Sequence, residues 1–148
     1  MGNKIDQYFS KDEQTRYSRH FELPQFGPEA QRKLKNSKVI VVGAGGLGSP
    51  VLLYLAAAGI GSLKIIDNDQ VTLSNLQRQV LFTTQDLNQP KAEIAAKRIK
   101  GLNPTIEIES IGERVTVSNA LSLLSDGDVV VDCTDNFPTR YLLNDAWV

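Results

Sequence analysis

The segment Val39–Asp69, VIVVGAGGLGSPVLLYLAAAGIGSLKIIDND, constrains this chain more than any other. It opens on a short run of β-branched residues, Lys38–Val42, whose apolar side chains are consecutive and not alternating. That pattern predicts a strand buried on both faces. A glycine turn follows, then an apolar stretch from about Leu47 to Ala58, with Gly59 as its C-terminal stop. Leu63–Ile66 is a second short apolar run, and it ends on Asp67. Strand, helix and strand in this order form a βαβ unit with a right-handed crossover. Within the turn, Gly43, Gly45 and Gly48 make the pattern G-x-G-x-x-G. Gly43 permits the tight turn, Gly45 lets the backbone approach a phosphate, and Gly48 lets the helix pack on the strand. The helix N-terminus offers unpaired N–H groups and partial positive charge to an anion. Asp67 is placed to accept hydrogen bonds from ribose hydroxyls. Asp69 either faces the same site or begins the next loop.

The rest of the chain repeats the alternation. Asn68–Leu87 is a long polar connection with a helical turn near Leu76. Pro90 opens a helix that runs to about Leu102, where Asn103-Pro104 stops it. Ile106–Ile111 reads as a third strand, Ser118–Leu124 as a short helix, and Asp128–Val131 as a fourth strand of buried type. A helix from about Pro138 runs to the last residue. These units predict an α/β, Rossmann-like parallel sheet with helices on both faces and strand order 3-2-1-4. The ligand crevice lies beyond the strands' carboxyl ends, where strands 1 and 4 meet.

Ahead of this domain (36–148) lies a helical arm, 1–35. Residues 1–9 read as a loose end. Ser10 and Glu13 match a capping box for a short helix carrying Arg16, Tyr17, Arg19 and His20. Pro28 suits the first turn of a second short helix, through about Leu34.

Composition removes several classes. With 16 basic and 17 acidic residues, the formal net charge is −1, and no basic excess points to nucleic acid. The longest apolar run, Val51–Ile60, falls far short of the roughly 20 residues needed to span a bilayer. The N-terminus lacks the apolar core of a secretory signal. A single cysteine, Cys133, rules out an intrachain disulfide or a cysteine-based zinc cluster within this sequence and fits a reducing compartment. A cytoplasmic protein is expected, with Cys133 buried and inert.

The glycine turn alone serves NAD as well as ATP. The segments that follow favour ATP. Ser74-Asn75-Leu76-Gln77-Arg78-Gln79 leaves the ligand edge of the sheet with an arginine fork suited to phosphate. Lys91 occupies the first turn of its helix, where the macrodipole disfavours a cation. It is either a solvated lysine offset by Glu93 or a phosphate ligand. Asp135 lies past the fourth strand, beside the glycine turn. A carboxylate there repels phosphates unless a cation intervenes, and Mg²⁺ held by Asp135 and phosphate oxygens is the natural one. Asp135 or Asn136 could equally cap the final helix. A triphosphate needs these additional charges, whereas a pyridine dinucleotide is served by the glycine turn.

GAGGLGS, the D-x-D after the second strand, LSNLQRQ, QPKAE, LNP and DCTDN occur in this order. In that order they resemble the MoeB/ThiF/HesA family of the ubiquitin-activating-enzyme-like superfamily. RYSRH, Arg16–His20, resembles the family's R-Y-x-R-Q segment. The resemblance covers about residues 12–148. It implies an ATP-dependent adenylyltransferase that activates the C-terminal glycine of a ubiquitin-like sulfur carrier, one ending in Gly-Gly, for molybdopterin or thiamine synthesis. By position, Gly43, Ala44, Gly45, Gly46, Leu47 and Gly48 line the nucleotide and Asp67 holds the ribose. Asn75, Arg78 and Lys91 meet the phosphates, and Asp135 binds Mg²⁺. Arg19 matches an arginine that reaches into the neighbouring subunit of a homodimer. His20 stands where the family has glutamine and is expected at the surface. The family continues for roughly another hundred residues with two C-x-x-C pairs for zinc, so the sequence reads as a nucleotide-binding half, weak or inactive alone. An NAD-dependent oxidoreductase, a non-catalytic nucleotide-binding module, and an adenylating enzyme for a small acid or a modified tRNA base are the alternatives.

Overall fold

A computed structural model describes residues 4–147. Four strands, β1 (Lys38–Val42), β2 (Ser62–Ile66), β3 (Glu107–Ile111) and β4 (Val129–Asp132), form one parallel sheet in the order β3-β2-β1-β4. Helices α5 (Gly48–Ala58) and α6 (Lys91–Leu102) belong with one layer; α7 (Ala120–Leu124) and α8 (Phe137–Trp147) belong with the other. The pleat of β1 sorts its side chains between them. Val39 and Val41 pack with Leu52, Ala56, Ala95 and Ile99, whereas Ile40 and Val42 pack with Leu124 and Leu143. Both faces of β1 are therefore covered, as its unbroken apolar run predicts. β4 takes the edge position that the expected order gives it, but it is not the buried-type strand expected, since Val129 is 49% exposed.

Leu52 is fully buried at the centre of the first layer. Leu52→Ala is expected to destabilise the fold by about 2–5 kcal/mol, read as a lower denaturant midpoint, because the rigid sheet beneath it cannot collapse into the cavity.

The arm is more ordered than a loose end. Helix α1 (Lys4–Tyr8) leads into Phe9, which is buried, with its ring 5.2 Å from that of Phe21 and Lys35 Nζ 5.3 Å above its face. Residues 1–3 lie outside the described residues. The Ser10–Glu13 capping box forms and starts α2 (Lys11–Arg16). The expected single helix then breaks at Tyr17, and α3 (Ser18–Phe21) takes over before α4 (Gly27–Lys35). A polar clasp holds this arm to the sheet domain. Gln31, fully buried, donates to the Ala58 carbonyl and meets His20 Nδ1 at 2.7 Å; Asn103 donates to Tyr17 Oη and to the Ala56 carbonyl. These bonds reach the last turn of α5, where Gln31 caps the Ala58 carbonyl and Asn103 adds a second donor to the Ala56 carbonyl, which also accepts from the Gly59 N–H. His20 is therefore half-buried in a network, stacked on Tyr17, and not at the surface.

Lys64, 5% exposed within β2, lies against Asp126, which also pairs with Lys38. Hydrogen bonds from Lys38 and Lys64 hold the Asp126 carboxyl down to about 2. A carboxyl depressed on folding stabilises above its unfolded pKa, and that contribution is lost as pH falls through the folded value. Acid titration should therefore cost wild-type stability between about pH 4 and pH 2, by less than about 1 kcal/mol since Asp126 is half-exposed. Asp126→Asn should remove that part of the slope.

Candidate functional site: a cleft at the carboxyl edge of the sheet

A cleft of about 650 Å³ opens where β1 and β4 meet, with the glycine turn as its floor. The turn can only be built this way from glycine. Gly43 has φ +94°, and a Cβ there would stand 2.8 Å from the carbonyl oxygen of Cys133, the residue just past β4; a Cβ at Gly48 would fall 1.9 Å from the Gly43 carbonyl oxygen. The β1 turn, the start of α5 and the end of β4 are thus in backbone contact. Helix α5 begins with no side-chain cap; the Ser49 N–H donates to the Gly45 carbonyl and Pro50 has no N–H, which leaves the Gly48 N–H for a ligand.

Asp67 ends β2 and ties the turn to it. Its Oδ2 accepts from the Ala44 N–H at 2.7 Å, and its Oδ1 from the Asp69 N–H at 2.8 Å. Burial pushes its carboxyl above the ordinary carboxylate range, although both N–H groups and Lys91 pull the other way. The carboxylate keeps free lone pairs toward the cleft it lines.

Lys91 is not the solvated lysine of the alternative reading. It is 4% exposed, and its Nζ lies 3.4 Å from Asp69 Oδ2. Its backbone N–H donates to the Asp69 carbonyl beside a Gln70–Pro90 bridge, which clips the start of α6 against the end of β2. Asp69 therefore faces the site. Arg78 lies along Gly46, with side-chain carbons 3.4 Å from a Cβ built there.

At the far wall, Asn136 Oδ1 accepts from the Thr139 N–H at 3.0 Å and so caps α8. That leaves Asp135 exposed, with no hydrogen bond or ion pair to any described residue. Among the described residues no three histidine, cysteine or carboxylate side chains come together as a metal site. A lone free carboxylate suits Mg²⁺ shared with substrate phosphates, not an all-protein cage. Cys133 lines the floor; burial, with Asp132 beside it, pushes its thiol up, so it is a poor nucleophile.

Gly43, Gly45, Gly46, Leu47, Asp67, Asp69, Arg78, Lys91 and Asp135 all line this cleft. Ala44 and Gly48 support it from behind. Asn75 does not line it; its Oδ1 accepts from the Thr72 hydroxyl at 2.7 Å. Arg19 is exposed on the arm, paired with Glu22 at 3.1 Å, and takes no part in the cleft. Sequence reasoning missed Arg114, just past β3, and Arg140, in the first turn of α8, where it donates to the Thr134 carbonyl. Position signalled both, since each closely follows a strand at the ligand edge. The cleft lining thus holds Arg78, Lys91, Arg114 and Arg140 against Asp67, Asp69, Glu113 and Asp135. Mixed charge of this kind accommodates an anion together with a cation.

Fold and cleft together define a Rossmann-like nucleotide-binding protein. The chain belongs to the ThiF family, whose model matches residues 17–148. It is similar to a sulfur carrier protein adenylyltransferase of Thermus thermophilus, 54% identical over 95% of this chain and 52% of that protein. It is also similar to a probable molybdopterin-synthase adenylyltransferase of Porphyra purpurea, 48% identical over 93% of this chain and 36% of that protein. The chain therefore spans about half or less of these relatives' length. Among solved structures it resembles the E. coli tRNA N6-threonylcarbamoyladenosine dehydratase TcdA in complex with ATP. The TM-score is 0.85 and the identity 30%, over 90% of this chain and 55% of that one. No helix among the described residues is long and apolar enough to cross a membrane.

Proposed function

We propose that this chain is the nucleotide-binding part of a cytoplasmic, homodimeric adenylyltransferase that acts on a ubiquitin-like sulfur carrier in molybdopterin or thiamine synthesis. The carrier's C-terminal glycine carboxylate attacks the α-phosphorus of ATP. The bond from that phosphorus to the bridging oxygen breaks, giving an acyl-adenylate and pyrophosphate. One observation carries the reading: a free carboxylate, Asp135, shares a cleft with four cations over a glycine turn. A dinucleotide's diphosphate gives such a carboxylate no task, whereas a metal–triphosphate needs both signs of charge.

The N–H groups of Gly45, Gly46 and Gly48 in the glycine turn receive phosphate oxygens, and Asp67 accepts from the ribose. Arg78 and Lys91 neutralise the charge that grows on pyrophosphate as it leaves. Asp135 would hold Mg²⁺, which would supply neutralisation of the phosphate charge. Arg19, remote from its own cleft, fits a role in the partner's site. Positioning and charge neutralisation supply the rate, with no enzyme nucleophile. The higher identity to carrier-directed relatives than to the tRNA-directed structure supports a protein carrier as substrate.

Calorimetric titration of the full gene product with Mg-ATP and with NAD tests the nucleotide. Saturable binding of Mg-ATP and none of NAD is expected. The reverse result would make the protein an oxidoreductase candidate.

A further inference from the structure

Gln79 is only 4% exposed although it lines the cleft, and its Oε1 has no hydrogen-bond partner. No described residue accepts from its Nε2 either. The backbone holds the residue in place, since its N–H donates to the Asn75 carbonyl at 2.9 Å and its carbonyl accepts from the Phe82 N–H at 3.1 Å. The amide lies over the middle of the glycine turn, with Nε2 3.4 Å from a Cβ built on Gly45. A buried carboxamide oxygen left without a donor is costly, and such groups recur where a ligand brings the missing partner.

The chemistry of that ligand is restricted. Phosphate oxygens are acceptors and can satisfy only Nε2. The orphaned Oε1 requires a donor close to the phosphates. On the adenylation reading, on which this inference rests, one donor comes there with the reacting atoms: the N–H of the last peptide unit before the activated carboxylate. We propose that Gln79 recognises this terminal peptide group, Oε1 accepting from the N–H of the final glycine. The contact turns the carboxylate toward the α-phosphorus and selects acids that end in a secondary amide over free small acids. Gln79 is thus a substrate-positioning residue.

The test uses the full gene product, labelled pyrophosphate, Mg-ATP and two carriers. One is a ubiquitin-like sulfur carrier ending in Gly-Gly; the other is the same carrier made semisynthetically with N-methylglycine as its last residue. In wild type, N-methylation should raise the KM for carrier about tenfold, the loss of one hydrogen bond. Gln79→Leu should raise the KM for the natural carrier by a similar factor and leave the KM for ATP unchanged. N-methylation should then cost the variant nothing further. Equal sensitivity of wild type and variant to N-methylation would overturn the proposal. So would a raised KM for ATP with the carrier KM unchanged, which would make Gln79 a nucleotide ligand. Should Gln79→Leu fail to fold, the N-methyl carrier with wild type decides alone, and an unchanged KM sinks the proposal. Absence of exchange in wild type with any Gly-Gly carrier, with ATP still bound, would instead remove the adenylation reading and this inference with it.

Discussion

Asp135→Asn is expected to lower carrier-dependent pyrophosphate–ATP exchange by about 10²–10³-fold, the scale seen when one preorganised electrostatic contact to a transition state is removed. The melting temperature should not change. Asp135 is exposed and bonded to no described residue, and the cap of α8 is supplied by Asn136. Substitution therefore removes no structural contact. The residual activity should respond to Mg²⁺ at concentrations that already saturate wild type. If Asp135 were only a surface residue of the loop, exchange would stay at the wild-type level. If it were structural, stability would fall with activity.

Lys91→Met is the second large effect, and here stability and activity should part company. A buried charge ordinarily suggests a structural ion pair. Yet Lys91 meets a carboxylate, Asp69, whose side chain is 66% exposed and stays solvated when the ammonium is gone. Replacing the buried ammonium by an apolar chain of similar length removes a desolvation penalty, and the nearby Asp67 carboxylate is still held by the Ala44 and Asp69 N–H groups. Folding stability should hold or rise slightly. Exchange should fall by about 10²-fold or more, because no other group takes over the charge at this wall of the cleft. A loss of stability with proportionate loss of activity would mark Lys91 as a structural residue.

The sheet and its glycine turn were readable because they rest on local signals. An unbroken β-branched run, glycines at fixed spacing and an acid at the next strand end each act within a few residues, and β1, β2, α5 and α6 appear close to where these signals put them. What escaped reading depends on contacts distant in sequence. Phe9 is buried because Phe21 and Lys35 close over it, and nothing in the first nine residues announces that. His20 is drawn inward by Gln31 on another helix. The burial of Lys91 follows from the clip between Gln70 and Pro90. Asn75 and Arg19 carry motif letters, yet they face Thr72 and Glu22. Arg114 and Arg140 lie outside every motif and gain their place from topology, each following a strand at the edge where ligands sit.

The claim on which the rest depends is that bond-making occurs at the α-phosphorus of ATP. Incubating the full gene product with Mg-ATP, labelled pyrophosphate and a sulfur carrier ending in Gly-Gly measures this directly. The account predicts label entering ATP only when the carrier is present, and none when the carrier's last glycine is removed. Release of ADP and phosphate without exchange, or tight nucleotide binding with no exchange for any such carrier, would contradict it.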